Sequence, residues 1–268
     1  MSTPRHRRPG PVLLLAAFCG FLLLLAPVVV VAIVSFSAGN FLAFPPPGLS
    51  LRWYETLLGN AEIMTALATS ALLALIVAAL ALALGLPAAY AIARLRFPGR
   101  DLIAAILAAP LLLPTLVLGL ALLLALHPLK LVATWPGLVL AHLTIAVPFA
   151  VRIMTTAIAT VPPRLEAAAQ TLGASPVRAA LSITLPLAMP GVFAAAALSF
   201  LVSFDETVIS LFLVGPRLTT LPVELFRYAE NRTDPLVAAL SMVLVVIALA
   251  VVLLVERATG LTRTLAKE

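Results

Sequence analysis

From Val12 to Val255 the chain returns again and again to apolar runs of 18 residues or more, and this pattern limits its fold more than any other feature. About 20 apolar residues span the ~30 Å hydrocarbon core of a bilayer, and a helix does so with every backbone N–H and C=O paired internally. Six such spans can be drawn, at residues 12–36, 64–93, 102–126, 137–158, 187–213 and 236–255. The expected fold is therefore all-α, a polytopic membrane protein with six transmembrane helices. With 63% hydrophobic and 10% charged residues, a soluble globule would expose more apolar surface than water tolerates. The first run follows the basic stretch RHRRPG as a secretory signal would. A signal core holds only ~7–15 apolar residues, so this run reads as an uncleaved span.

Prolines punctuate the spans. Pro87 is expected to break the second near its inner end, and Pro110, Pro114 and Pro148 each free a carbonyl in the third and fourth. In lipid those carbonyls need partners, so the helices are either closely packed or line a pathway, or the kinks are simply tolerated.

The net charge of +6 and isoelectric point near 10.4 follow from topology rather than from nucleic-acid binding. Twelve of the seventeen Lys and Arg residues fall on one side: Arg5, Arg7, Arg8, Arg94, Arg96, Arg100, Arg152, Arg164, Arg178, Arg257, Arg263 and Lys267. Positive charge is retained on the cytoplasmic side, which implies both termini inside. The layout is then a basic cytoplasmic N-terminus (1–11), a six-span domain (12–255) and a cytoplasmic tail (256–268). Trp53, Tyr54 and Tyr228 fall in outer loops, where aromatic rings anchor to the membrane interface. The lone Cys19 excludes an intrachain disulfide and a multi-cysteine metal site.

Between spans four and five lies a polar interruption, RLEAAAQTLGASPVRAALSITLP, within a cytoplasmic loop at about 162–186. Pro162-Pro163 suits the first turn of a new helix. Leu165, Ala168, Ala169 and Leu172 recur at helical spacing as one apolar stripe. Gly173 stands where a left-handed C-cap belongs, and Ser175-Pro176 reads as the start of a second short helix. Pro186 and Pro190 are expected to bend the chain into span five. The loop could be an elbow packed on its own spans, or a surface offered to a partner.

This loop resembles the cytoplasmic signature of the membrane permeases of ATP-binding cassette importers: glutamate, two alanines, three residues, glycine, nine residues, isoleucine, one residue, leucine-proline. The matching positions are Ala168, Ala169, Gly173, Ile183, Leu185 and Pro186. The signature glutamate falls on Ala167, with the carboxylate one residue earlier at Glu166, a rotation of about 100° on a helix. The stretches PPPGLSLRWYETLLGN, ARLRFPGRD, APLLLPTLVLG and SFDETVISLFLVGPRLTTLPVELF resemble the spermidine/putrescine branch of that family. The resemblance implies a permease in the bacterial inner membrane, with a coupling helix that fits a groove on an ATPase. It also implies two ATP-binding cassette ATPase subunits holding ATP and Mg, a second homologous permease, and an extracytoplasmic solute-binding protein. Glu166 either takes the coupling role of that glutamate from one position earlier or serves the helix N-terminus electrostatically.

The chain has no G-x-x-x-x-G-K-[ST] phosphate loop, and its only lysines are Lys130 and Lys267. No nucleophile, base and metal set converges, so no enzyme and no cofactor is expected in this chain. His142 reads as a packed polar residue. In span five, Ser199, Ser203, Glu206 and Ser210 form a narrow polar stripe with Asp205 beside it. Charges inside a span face a bundle interior or a wet cavity. Glu206, Asp205 and Ser203 therefore either line a path for polyamine-like cations or, for the carboxylates, pair with arginines of this or a partner chain. The function expected is an ATP-driven importer permease for polyamines. The alternatives are a permease for another small organic solute and a six-span secondary carrier.

Overall fold

The computed structural model describes residues 10–259. The basic residues Arg5, Arg7 and Arg8, and Arg263 and Lys267 of the tail, lie outside that range. The described chain is helical: α1 (Pro11–Ser35), α2 (Arg52–Gly59), α3 (Ala61–Arg94), α4 (Arg100–Ala108), α5 (Thr115–Leu126), α6 (Trp135–Thr160), α7 (Pro163–Thr171), α8 (Pro176–Ala179), α9 (Leu185–Phe204), α10 (Val208–Leu213), α11 (Leu221–Asn231) and α12 (Leu236–Thr259). Among the described residues, five stretches are long and apolar enough to cross a membrane, and a sixth if the bent pair over 100–126 counts as one span.

Three expectations need correction. The third span is not one helix. A 3-10 turn (Ala109–Leu112) follows α4, and the axis then swings by 104° into α5. Leu113 is extended (φ −86°, ψ 140°), as a residue before proline prefers, and Pro114 restarts the helix without an N–H to give. Pro87, in contrast, leaves α3 unbroken for 34 residues. Gly85 and Ala89, on either side of it, are buried, while Pro87 itself is exposed. Span five also differs from a single rod over 187–213. The short helix α8 runs through a π-helical turn (Ala180–Thr184) directly into α9, so Pro186 and Pro190 do not bend it away. The rod then ends at Phe204, and α10 starts after a three-residue break.

Two compact units divide the chain. One holds residues up to Asn60 together with Asn231–Val243. Here Tyr54 donates its hydroxyl to Ser35 Oγ (2.8 Å), and Trp53 Nε1 donates to the Gly39 carbonyl (3.2 Å). The Arg52 guanidinium lies 4.5 Å from the Trp53 ring centroid. These aromatic residues tie down the segment after α1.

The other unit, Ala61–Glu230 with the chain from Leu244 on, carries the larger core. Helices α3, α6 and α9 pack on one another through small residues, among them Ala81, Ala146, Ala150 and Ala195. Lipid is as apolar as these side chains, so close van der Waals fit rather than escape from water holds the helices together. Between α6 and α9 the approach is close at Gly191, where an added Cβ would stand 2.1 Å from Ala157 Cβ.

Replacing Gly191 by Val should therefore force α6 and α9 apart and destabilise the purified protein by about 1–3 kcal/mol. Gly20→Ala, at an open position, serves as the control. Thermal unfolding in detergent should show a lower midpoint for the first and none for the second.

Candidate functional site

Two clusters are built into the larger unit. The first is the α7–α8 segment. Pro163 occupies the first position of α7, as its fixed φ favours. The helix closes at Gly173 (φ +93°), with Ala174 N–H bonded to Ala169 O (3.0 Å) and Gly173 N–H to Gln170 O (3.0 Å), the paired bonds of a Schellman cap. Ser175 Oγ then accepts from Arg178 N–H (3.3 Å) and starts α8.

The apolar stripe is left uncovered by this chain: Leu172 is 90% exposed and Leu165 39%. Ala168 and Gly173 are exposed with it, and Ala169 is half-buried. Ile183 and Leu185 are half-buried, and Pro186 is exposed, where the second helix passes into α9.

Glu166 points the other way. It is buried at 8% exposure, with Oε1 3.2 Å from Arg94 Nε, whose own side chain is equally enclosed. Tyr90 donates its hydroxyl to Oε2 (3.0 Å), and Thr184 donates to Oε1. Arg94 also donates to the carbonyl of Val161 (2.7 Å), the residue that leads into α7. The one-residue offset of the carboxylate thus turns it from the exposed stripe into the interior. Sequence reasoning counted Arg94 only as a topological charge and passed over Tyr90 and Thr184. A signal was present: Tyr90 and Arg94 are four apart, on one face of the last turn of α3.

The second cluster surrounds the break after Phe204. Asp205 is exposed and Glu206 half-buried. Both border a cavity of about 500 Å³ whose apolar walls include Leu201 and Val202 of α9 and Leu244 and Ala248 of α12. Among the described residues, neither carboxylate forms an ion pair. Glu206 Oε1 accepts from Ile209 N–H (2.9 Å), capping α10.

Ser203 does not share the cavity wall. It is 3% exposed, turned toward the fully buried His142, whose Nδ1 lies 2.8 Å from Ser203 Oγ. Nε2 of the same ring lies 3.0 Å from Ser210 Oγ. Ser210 gives its own proton to the Glu206 carbonyl (2.8 Å), so it must accept from Nε2–H, which leaves Nδ1 to accept from Ser203. The polar stripe read from the sequence is thus divided: Ser203 and Ser210 clamp the break from within, while Asp205 and Glu206 face the cavity. Ser199 Oγ, one turn before Ser203, is buried without a partner.

Comparison with known proteins places this geometry in context. Residues 81–259 match the model of the family described as "Binding-protein-dependent transport system inner membrane component". The chain is similar to the putrescine transport system permease protein PotI of Escherichia coli (strain K12), 32% identical over 247 residues that cover 90% of this chain and 87% of that protein. It is also similar to the spermidine/putrescine transport system permease protein PotC of Haemophilus influenzae, 30% identical over 242 residues that cover 90% of this chain and 94% of the relative. In fold it matches a chain of a bacterial ABC transporter involved in the import of the acidic polysaccharide alginate. That match has a TM-score of 0.73 and 17% identity, and covers 95% of this chain and 99% of the other.

His142→Leu should strand the buried Ser203 hydroxyl and lower stability by about 1–2 kcal/mol. Adding Ser203→Ala to it should recover part of that loss, since the stranded hydroxyl goes with it, while Ser210 keeps its bond to the Glu206 carbonyl. Thermal midpoints of the single and double variants in detergent check this, and a double variant weaker than the single would contradict it.

Proposed function

The chain belongs to the family of binding-protein-dependent transport system inner membrane components, and from that premise we propose that it is a permease subunit of an ATP-driven importer for polyamines or related small cations. One observation carries the choice of solute. Two carboxylates without ion-pair partners among the described residues border an apolar-walled cavity at a break in a membrane-spanning helix. A chain of methylenes ending in ammonium groups suits such walls and such charges. The names of the similar permeases agree with that reading.

In this reading both termini lie in the cytoplasm, and α7–α8 is the coupling element. Leu165 and Leu172, with Ala168, Ala169 and Gly173, enter a groove on an ATPase subunit. Ile183, Leu185 and Pro186 pass the displacement on to α9. Two ATPase subunits hold ATP and Mg, a second homologous permease completes the pathway, and an extracytoplasmic binding protein delivers the solute. Asp205 and Glu206 meet the cation inside the membrane, where each charge-assisted contact is worth more than in water.

Two measurements test this. In proteoliposomes holding the assembled complex, Glu206→Gln should reduce ATP-driven putrescine uptake at subsaturating solute by about tenfold or more, the loss of one charge-assisted hydrogen bond. Uptake equal to the parent would remove Glu206 from the path. Leu172→Asp should cost about 2 kcal/mol of apolar burial at the ATPase contact and strip the ATPase from the affinity-purified permease. An undiminished ATPase band would show that the stripe docks elsewhere.

A further inference from the structure

We propose that Arg94 and Glu166, together with Tyr90 and Thr184, form the rigid joint through which α7 moves α3 and α9 as a single body. This rests on α7–α8 being the coupling element, and it deepens that reading by naming how the element is fastened.

The connections along the chain could not do this alone. On one side α7 is joined to α6 through Val161 (φ −75°, ψ 124°) and Pro162 (φ −62°, ψ 125°), two extended residues without helical hydrogen bonds across them. On the other side it is joined to α8 through Gly173, left-handed, and Ala174. Gly173 can change its φ and ψ cheaply, while the proline rings fix φ at Pro162 and Pro163 and leave the other link to turn mainly about ψ, so a push on α7 could still be absorbed as rotation about these bonds. What opposes that rotation is the carboxylate of Glu166. It binds Arg94 and Tyr90 of α3 and Thr184 at the threshold of α9. Arg94 adds a grip on the Val161 carbonyl, fixing one of the two links directly.

The geometry sets three elements on one side chain. Because Arg94 and Glu166 are both enclosed, separating them would leave two uncompensated charges away from water. The joint therefore stays closed while the helices it connects are displaced. The exposed stripe and the buried carboxylate divide the work on α7, one receiving the push and the other passing it inward. Arg94, Tyr90 and Thr184 are positioning residues in this scheme, since they touch neither solute nor nucleotide.

The test reads the ratio of solute imported to ATP hydrolysed in proteoliposomes of the assembled complex. An altered amount of folded protein changes both terms together, so a merely structural role leaves the ratio unmoved. The neutral double variant Arg94→Met, Glu166→Gln avoids a lone buried charge. It should retain ATP hydrolysis while the ratio falls about tenfold, which is 1.4 kcal/mol of lost coupling. Tyr90→Phe with Thr184→Val keeps both side-chain shapes and both charges, and should lower the ratio by a smaller factor of about three. If the first pair fails to assemble, the second decides: a lowered ratio supports the joint and an unchanged ratio overturns it. A parent complex without ATP-driven uptake overturns the importer reading and the joint with it. A working parent whose variants keep its ratio overturns the joint alone.

Discussion

The enclosed ion pair between Arg94 and Glu166 fixes what the rest of this chain can do with its helices. Charges removed from water are costly, and removing one partner of a buried pair typically destabilises by about 3–5 kcal/mol. Here the remaining lone pairs are also occupied, by Tyr90 and Thr184, so the charges are paired and the acceptor is satisfied. The consequence is geometric. The end of α3, the first turn of α7 and the start of α9 are held together where the chain itself offers only loops.

Above that joint the packing is of a different kind. Helices α3, α6 and α9 meet through alanine and glycine, and a methyl group added at Gly191 would collide with α6. An interface fitted this closely shifts as a block or not at all. The polar clamp of Ser203, His142 and Ser210 holds the far end of α9 in the same manner, each hydrogen bond fixing the direction of the next. Asp205 and Glu206 thus border their cavity at a break that is itself held by this buried clamp.

Much of this was legible in the sequence. Hydropathy located α1, α3, α6 and α12 within a few residues, because span length is set by bilayer thickness and needs no knowledge of neighbours. Proline, glycine and serine marked both ends of α7 and the start of α8, since those positions depend on local backbone chemistry alone. The failures share a cause. Pro87 and Pro114 look alike in sequence, yet one sits in an unbroken helix and the other follows a sharp bend; Gly85, beside the first, packs against Met154 and Ala150 of α6, a contact no local pattern records. The polar stripe of span five assumed a continuous helix through Glu206, and the break separated its members. Glu166 found its partners 72 and 76 positions away, beyond the reach of any periodicity.

A closed joint requires α7 and the C-terminal end of α3 to move as one piece while the transporter cycles. Paired spin labels at Gln170 and Leu95, in a variant without Cys19, report that directly through the distance between them in the assembled complex. One distance distribution is expected, the same in the nucleotide-free and ATP-trapped states, while a label pair from Gln170 to the partner permease shifts. A Gln170–Leu95 distance that changes with nucleotide would contradict it.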